Sequence, residues 1–322
     1  MNLKQFSLNF LQTIVLEVTT TCNLKCPTCR VTQSSQVPRF MEFNKFVEIT
    51  QALKPAIQMA SVFNLSSSES LLHKRTFDMI DFIKGINPKI QIAIMTNGML
   101  LNEENQNELL KRGINSIEVS MDGATKETFE SIRVGSDFEL IKKNVKSFIQ
   151  KGGKVRTIFV SRKNNINELI PFVDMCAELG IWRIKVTGVN TYKPEHSHLA
   201  LYSYEGNDAV ESILREAEAK AKQLHILLTY KPLKIDSSAC CGLSWTLYCG
   251  INGDISPCVF YSEPSPLSLM DKTRMTEKLV WGNVLKDNVL DIWRSDDSID
   301  FRRDLMNGKN CELCGMKYGV IC

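Results

Sequence analysis

No apolar run in this 322-residue chain approaches the ~18 residues that a membrane-spanning helix requires, so no membrane partner is expected. Neither sign of charge dominates. Thirty-nine basic against 36 acidic residues leave a net charge of +3, too little for a nucleic-acid surface. Histidine is scarce, and His73, His196, His198 and His225 show no metal-ligand spacing. The opening MNLKQFSLNFLQTIVLEV has one lysine, then Glu17, and no small-residue cleavage site, so no secretory signal is expected. Internal repeats and low-complexity segments are absent. At 43% hydrophobic and 23% charged residues the chain has a globular composition, long enough for one large domain with a smaller companion.

Against these absences stand 11 cysteines, an odd number. Disulfide frameworks belong to small secreted domains with little core. A large core without an export signal points instead to a reducing, cytoplasmic setting, with thiols kept for metal binding or catalysis.

The first 190 residues alternate short apolar runs with amphipathic stretches. Strands are expected at Thr13–Val18, Ala60–Leu65, Gln91–Met95, Ser116–Ser120, Lys154–Val160 and Arg183–Gly188. Helices are expected between them at Glu42–Leu53, Arg75–Lys84, Glu103–Lys111, Phe138–Lys151 and Ile166–Leu179. Repeated strand–helix units require a parallel sheet, as an open sheet or a partial barrel. In both, ligands sit at the C-terminal ends of the strands. A core over residues 1–200 is therefore expected. A connecting helix and strand over 201–238 and a small module over 239–322 follow it.

Just after the first strand, TTTCNLKCPTCR places Cys22, Cys26 and Cys29 in one loop with Cys-x3-Cys-x2-Cys spacing. A [4Fe–4S] cube normally takes four thiolates. Three thiolates hold it by one face and leave one iron open to another ligand. A zinc site joining Cys26 and Cys29 to the distant Cys311 and Cys314 is the alternative, but it leaves Cys22 idle.

This loop, with MTNG after the third strand and EVSMDGATKETFESIRVG at the fourth, resembles the radical S-adenosylmethionine (SAM) superfamily over nearly the whole chain. The resemblance implies an α/β partial (β/α)6 TIM-like barrel. It also implies that the open iron binds SAM, whose reductive cleavage releases a 5′-deoxyadenosyl radical that abstracts hydrogen from a substrate. For SAM it points to Ser120 and Asp122 at the ribose, with Asn97 close by. The family's Gly-Gly-Glu-Pro-like turn after the second strand reads NLSSSESLLHK here. Glu69 keeps the Glu position, while Ser67 and Ser68 replace glycines that permit close backbone approach. Ser68 can still donate a hydrogen bond there.

The tail resembles the SPASM and shorter twitch modules of radical SAM enzymes. By that resemblance Cys258, Cys311 and Cys314, with Cys240 or Cys241, hold one auxiliary iron–sulfur cluster, expected to be of the [4Fe–4S] type; a four-thiolate zinc site is the alternative. Asn252-Gly253 is a hairpin signal. In the simplest register residue 251 faces 254 and 247 faces 258, which sets Cys249 and Cys258 on one face as diagonal neighbours. One of Cys240, Cys241 and Cys249 is then spare, either a buried thiol or a hydrogen donor to a substrate radical. Cys176 reads as helix core.

The expected function is hydrogen abstraction from a peptide or small natural-product precursor, giving oxidation, bond formation or epimerisation. An electron donor such as flavodoxin or ferredoxin is the implied partner. No leader-binding domain precedes the loop at residue 22, which argues mildly against a long leader peptide. A non-catalytic zinc- or cluster-bearing binding protein is the second expectation, resting on the Ser-Ser-Glu turn.

Overall fold

A computed structural model describes residues 10–33, 37–65, 68–235, 242–270 and 272–309. The chain enters through strand β1 (Thr13–Leu16) and a helical turn α1 (Arg30–Gln33). Helices α2 (Phe43–Ala52) and α3 (Lys54–Met59) lead to β2 (Val62–Asn64), and α4 (Thr76–Ile86) leads to β3 (Gln91–Ala93) and β4 (Met95–Thr96). Helix α5 (Glu103–Lys111) then precedes β5 (Ser116–Ser120). Helices α6 (Lys126–Ile132) and α7 (Phe138–Gln150) precede β6 (Lys154–Ser161), and α8 (Leu169–Leu179) precedes β7 (Arg183–Gly188). All six expected strands form, the third of them broken at Ile94.

Neighbouring strands pair in parallel from β1 to β3 and again from β4 onward. The sheet also runs further than the sequence reading placed it. After α9 (Asp208–Gln223), β8 (Leu227–Thr229) adds in parallel to β7, although it was read as part of a connector. At the other edge β9 (Thr246–Cys249), from the C-terminal segment, lies parallel to β1. The result is two open sheets, one holding β9 and β1–β3 and one holding β4–β8, that together make a partial barrel without closure.

Helix α7 shows why the periodicity was legible. Phe138, Ile141, Val145 and Phe148 recur at three- and four-residue intervals and form its buried stripe. Asp137 caps it by accepting the Leu140 N–H at 3.0 Å. The chain leaves α7 tightly. A Cβ on Gly153 would stand 2.4 Å from the Phe148 ring, which is fully buried. Gly153→Ala is therefore expected to destabilise the fold by about 1–3 kcal/mol, the cost of overpacking a filled core. A urea midpoint equal to that of the unaltered protein would refute this.

The C-terminal hairpin corrects the expected register. Strand β10 (Asp254–Ser256) sets Ile255 opposite Cys249 and Ser256 opposite Tyr248, one residue away from the simple Asn-Gly pairing. Gly250 donates to the Asp254 carbonyl at 2.9 Å, and Gly253 takes φ 89°. The loop thus holds three residues, with glycine in the left-handed position. A one-residue slip exchanges the faces of the strand. Cys258 falls beyond the end of β10, so Cys249 and Cys258 are not the expected diagonal pair. A hairpin β11 (Pro266–Leu269) and β12 (Lys272–Met275) follows. Then come β13 (Gly282–Asn283), which pairs antiparallel with β10, and helices α10 (Val289–Trp293) and α11 (Asp296–Met306).

Candidate active site

The loop after β1 is closed at its neck. Thr19 and Phe40 form a bridge, the Thr20 N–H donates to the Arg39 carbonyl at 3.0 Å, and the Arg39 N–H donates to Thr20 Oγ1 at 2.9 Å. Inside it Cys22, Cys26 and Cys29 are free, half-buried thiols. The Leu24 N–H points at Cys22 Sγ (3.4 Å), and the Cys29 N–H donates to the Cys26 carbonyl at 3.1 Å. Burial pushes the Cys22 thiol up and the Cys26 thiol to about 11, against the opposing pull of Arg133. A ligating metal reverses that shift, because the thiolate is the ligand.

The expected SAM-facing residues meet this loop at the C-terminal ends of β1, β2, β4 and β5. Ser68 Oγ donates to the Thr19 carbonyl at 2.7 Å and so ties the turn after β2 to the neck. Glu69 is buried and accepts from the Asn97 N–H (2.8 Å), Thr96 Oγ1 (3.1 Å) and the Leu71 N–H (3.3 Å). Asn97 Nδ2 donates to Asn23 Oδ1 at 2.8 Å and lies 3.6 Å from Cys22 Sγ. Ser120 ends β5, half-buried. Asp122 is 2% exposed, and both its oxygens are engaged: Oδ1 accepts the Val160 N–H at 2.7 Å, and Oδ2 pairs with Arg133 at 2.8 Å. Ser66 and Ser67 lie outside the described residues.

Burial raises the Glu69 carboxyl to about 7, although three hydrogen bonds oppose it. A carboxyl raised on folding contributes stability that is complete below its unfolded value and lost as pH rises through the folded one. The metal-free protein should therefore lose on the order of 3 kcal/mol between about pH 4.5 and 7 from this group alone. Glu69→Gln is expected to flatten that part of the stability–pH curve. An unchanged slope in urea titrations across this window would contradict the assignment.

Two arginines at the site escaped the sequence reading. Arg133 follows α6 and lies largely covered beside Asp122, Cys26 and Cys29. Arg162 follows β6, is 5% exposed, and donates from Nη1 to Thr28 Oγ1 at 3.1 Å. In sequence, one arginine at an element's end is indistinguishable from a surface cation. Glu168 was also missed. It accepts from the Ala124 N–H (2.7 Å), the Thr125 N–H (3.1 Å), Thr125 Oγ1 (2.7 Å) and Thr128 Oγ1, and so fixes the turn that carries Asp122. Beneath the loop Arg30 pairs with Glu17 at 3.3 Å, both buried. His73 is braced by backbone: Nδ1 accepts the Arg75 N–H at 3.1 Å, which leaves Nε2–H to donate to the Met41 carbonyl at 2.9 Å.

These surroundings fit an iron–sulfur cluster. Arg133 Nε and Arg162 Nε are buried donors without an acceptor, beside three thiols and the Asp122 carboxylate that pairs with Arg133. Two guanidiniums with free N–H groups suit a ligand set of three thiolates. Among the described residues no three His, Cys, Asp or Glu side chains gather as the ligands of one metal ion. A cluster is bound through separate irons, so its thiolates span a face rather than converge on one atom.

In the C-terminal module Cys258 is half-buried. Cys240, Cys241, Cys311 and Cys314 lie outside the described residues. Cys249 is sealed in the core beside Leu16. It donates weakly to the Gly250 carbonyl (3.6 Å), and burial pushes its thiol far up. Cys176 is likewise fully buried, in α8. No helix among the described residues is long and apolar enough to cross a membrane.

Residues 16–176 match the family described as the radical SAM superfamily, and residues 240–316 match the SPASM family, described as an iron–sulfur cluster-binding domain. The chain is 25% identical over 303 residues to the tungsten-containing aldehyde ferredoxin oxidoreductase cofactor-modifying protein of Pyrococcus furiosus, covering 90% of this chain and 82% of that one. Its fold is similar to that of Streptococcus suis SuiB bound to SAM (TM-score 0.70, 17% identity, 96% of this chain and 72% of that one). It is also similar to that of anSMEcpe with bound SAM (TM-score 0.71, 16% identity, 94% and 88%). SuiB has also been solved with its precursor peptide SuiA. These matches remove the expectation of a non-catalytic binding protein.

Proposed function

The chain belongs to the radical SAM superfamily, and from that premise we propose that it abstracts a hydrogen atom from a carbon of a peptide or a small-molecule precursor. Cys22, Cys26 and Cys29 hold a [4Fe–4S] cluster in this reading. When bound, the cluster and SAM supply one electron and a 5′-deoxyadenosyl radical able to attack an unactivated C–H bond. The observation that carries the reading is convergence: three thiols, a buried carboxylate and a buried arginine–aspartate pair meet at the C-terminal ends of the parallel strands.

The protein's own groups divide the remaining work. Glu69, buried and poised near neutrality, offers a negative charge to the ammonium group of SAM and draws Asn97 against Cys22. Ser120, at the end of β5, presents a hydroxyl for the ribose. Arg133 holds Asp122, whose carboxylate also fixes the end of β6. Cys258, Cys311 and Cys314, with Cys240 or Cys241, would hold an auxiliary cluster, which would supply a one-electron acceptor or a binding point for the substrate. A reducing cytoplasm, with a flavodoxin or ferredoxin as donor, suits this chemistry.

Two similarities support the two substrate classes: one structural neighbour is solved with a precursor peptide, and one relative modifies a cofactor. The test is isotopic. A true substrate deuterated at the attacked carbon should stimulate SAM cleavage and place deuterium in 5′-deoxyadenosine. Unlabelled 5′-deoxyadenosine beside a labelled, converted product would overturn direct abstraction from that carbon.

A further inference from the structure

Thr28 lies between two of the loop's three cysteines, and the side chain that meets it comes from 134 positions away. Arg162 directly follows β6, and its backbone is locked there. The Arg162 N–H donates to Asn165 Oδ1 at 2.8 Å, and its carbonyl accepts from Asn165 N (3.1 Å) and Ile166 N (3.0 Å). Asn165 Nδ2 in turn donates to the Asp122 and Val160 carbonyls, both at 3.0 Å. From this anchored base the guanidinium reaches across the sheet end to Thr28 Oγ1 at 3.1 Å. The loop segment it grips has little freedom of its own: Pro27 fixes one φ, and Cys29 N–H closes a turn on the Cys26 carbonyl.

Charge is the second half of the argument. Asp122 is the nearest carboxylate, and its two oxygens are spent on Arg133 and the Val160 N–H. Arg162 lies in the field of Asp122 without an ion pair to it, and brings its positive charge to Cys26 with its Nε bonded to nothing. A guanidinium stays ionised even when buried. A cluster held by three thiolates gains one negative charge on reduction, and a fixed neighbouring cation favours the reduced form.

We propose that Arg162 is a positioning residue for the cluster loop: through Thr28 it clamps the Cys26–Cys29 segment, and with its charge it raises the reduction potential of the cluster held there. This rests on the reading that Cys22, Cys26 and Cys29 carry the cluster. Arg162 itself touches neither SAM nor substrate in this role.

The test uses the full chain, reconstituted anaerobically as wild type, Arg162→Gln, Arg162→Lys and Thr28→Val. Two quantities are read: the midpoint potential by EPR-monitored redox titration, and the rate of iron loss to a chelator. Arg162→Gln should be about tenfold less reduced at a fixed poise, a shift of about 59 mV to more negative potential for one electron. Arg162→Lys should restore most of that shift. Thr28→Val should keep the potential and release iron about tenfold faster, in the range seen when outer-shell partners of a metal site are removed. An unchanged potential in Arg162→Gln, or unchanged iron release in Thr28→Val, overturns the proposal. Should Arg162→Gln not hold iron, Arg162→Lys and Thr28→Val decide: a large potential shift in the lysine variant, or wild-type iron release in the valine variant, overturns it. A wild-type protein that binds no cluster is a different result, and it sinks the functional reading itself.

Discussion

Cys26→Ala is expected to leave a folded protein that makes no 5′-deoxyadenosine. Cys26 is only half-buried, so its removal costs little stability. The loss is chemical, since two thiolates no longer grip one face of a cluster. Iron bound to the loop should drop to background, along with SAM cleavage, while the unfolding free energy of the metal-free protein in urea changes by less than about 1 kcal/mol. Cys249→Ala makes the contrast. That residue sits fully buried between Leu16 and the hairpin, so its removal should act through the core and leave the loop's iron in place. SAM cleavage at the wild-type rate by Cys26→Ala would remove the loop from the mechanism.

Asp122→Ala should have the larger effect on stability. It strips the 2.8 Å partner from Arg133 and leaves two buried guanidiniums facing one another without a carboxylate. Breaking a buried pair on one side costs about 3–5 kcal/mol, because an uncompensated charge remains. It also frees the Val160 N–H, a buried donor. The exposed Lys45–Glu48 pair sets the scale: Lys45→Gln should cost no more than about 0.5 kcal/mol. The two are separated by denaturant midpoints on metal-free protein. A cost under 1 kcal/mol for Asp122→Ala would return Asp122 to the role the family resemblance implies, contact with the ribose of SAM. In this structure its oxygens are already taken.

The barrel was legible because its local signals agree. Each strand is a short apolar run, and the longer helices carry a buried stripe, with a capping residue before some of them, as in α7. What escaped was non-local. Thr246–Cys249 could be read as one arm of a hairpin but not as the parallel neighbour of β1, which lies more than 230 positions earlier. The hairpin register slipped because Asn-Gly signals a turn without fixing its length, and here glycine closes a three-residue loop.

The site divides the same way. Three cysteines in eight residues declare themselves by spacing alone, and Glu69 and Asn97 fall at strand ends where the fold puts ligands. Arg133, Arg162 and Glu168 do not, because their roles depend on partners brought close only by folding: Asp122, Thr28 and the turn at Ala124–Thr125. No local pattern separates such residues from solvent-facing charges.

The central claim meets its most direct test in one assay. Protein reconstituted with iron and sulfide under anaerobic conditions is mixed with SAM and dithionite, and 5′-deoxyadenosine and methionine are quantified. Formation of both in equal amounts, abolished by Cys26→Ala, is the predicted result. A colourless protein that binds zinc through these thiols and leaves SAM intact would contradict the account.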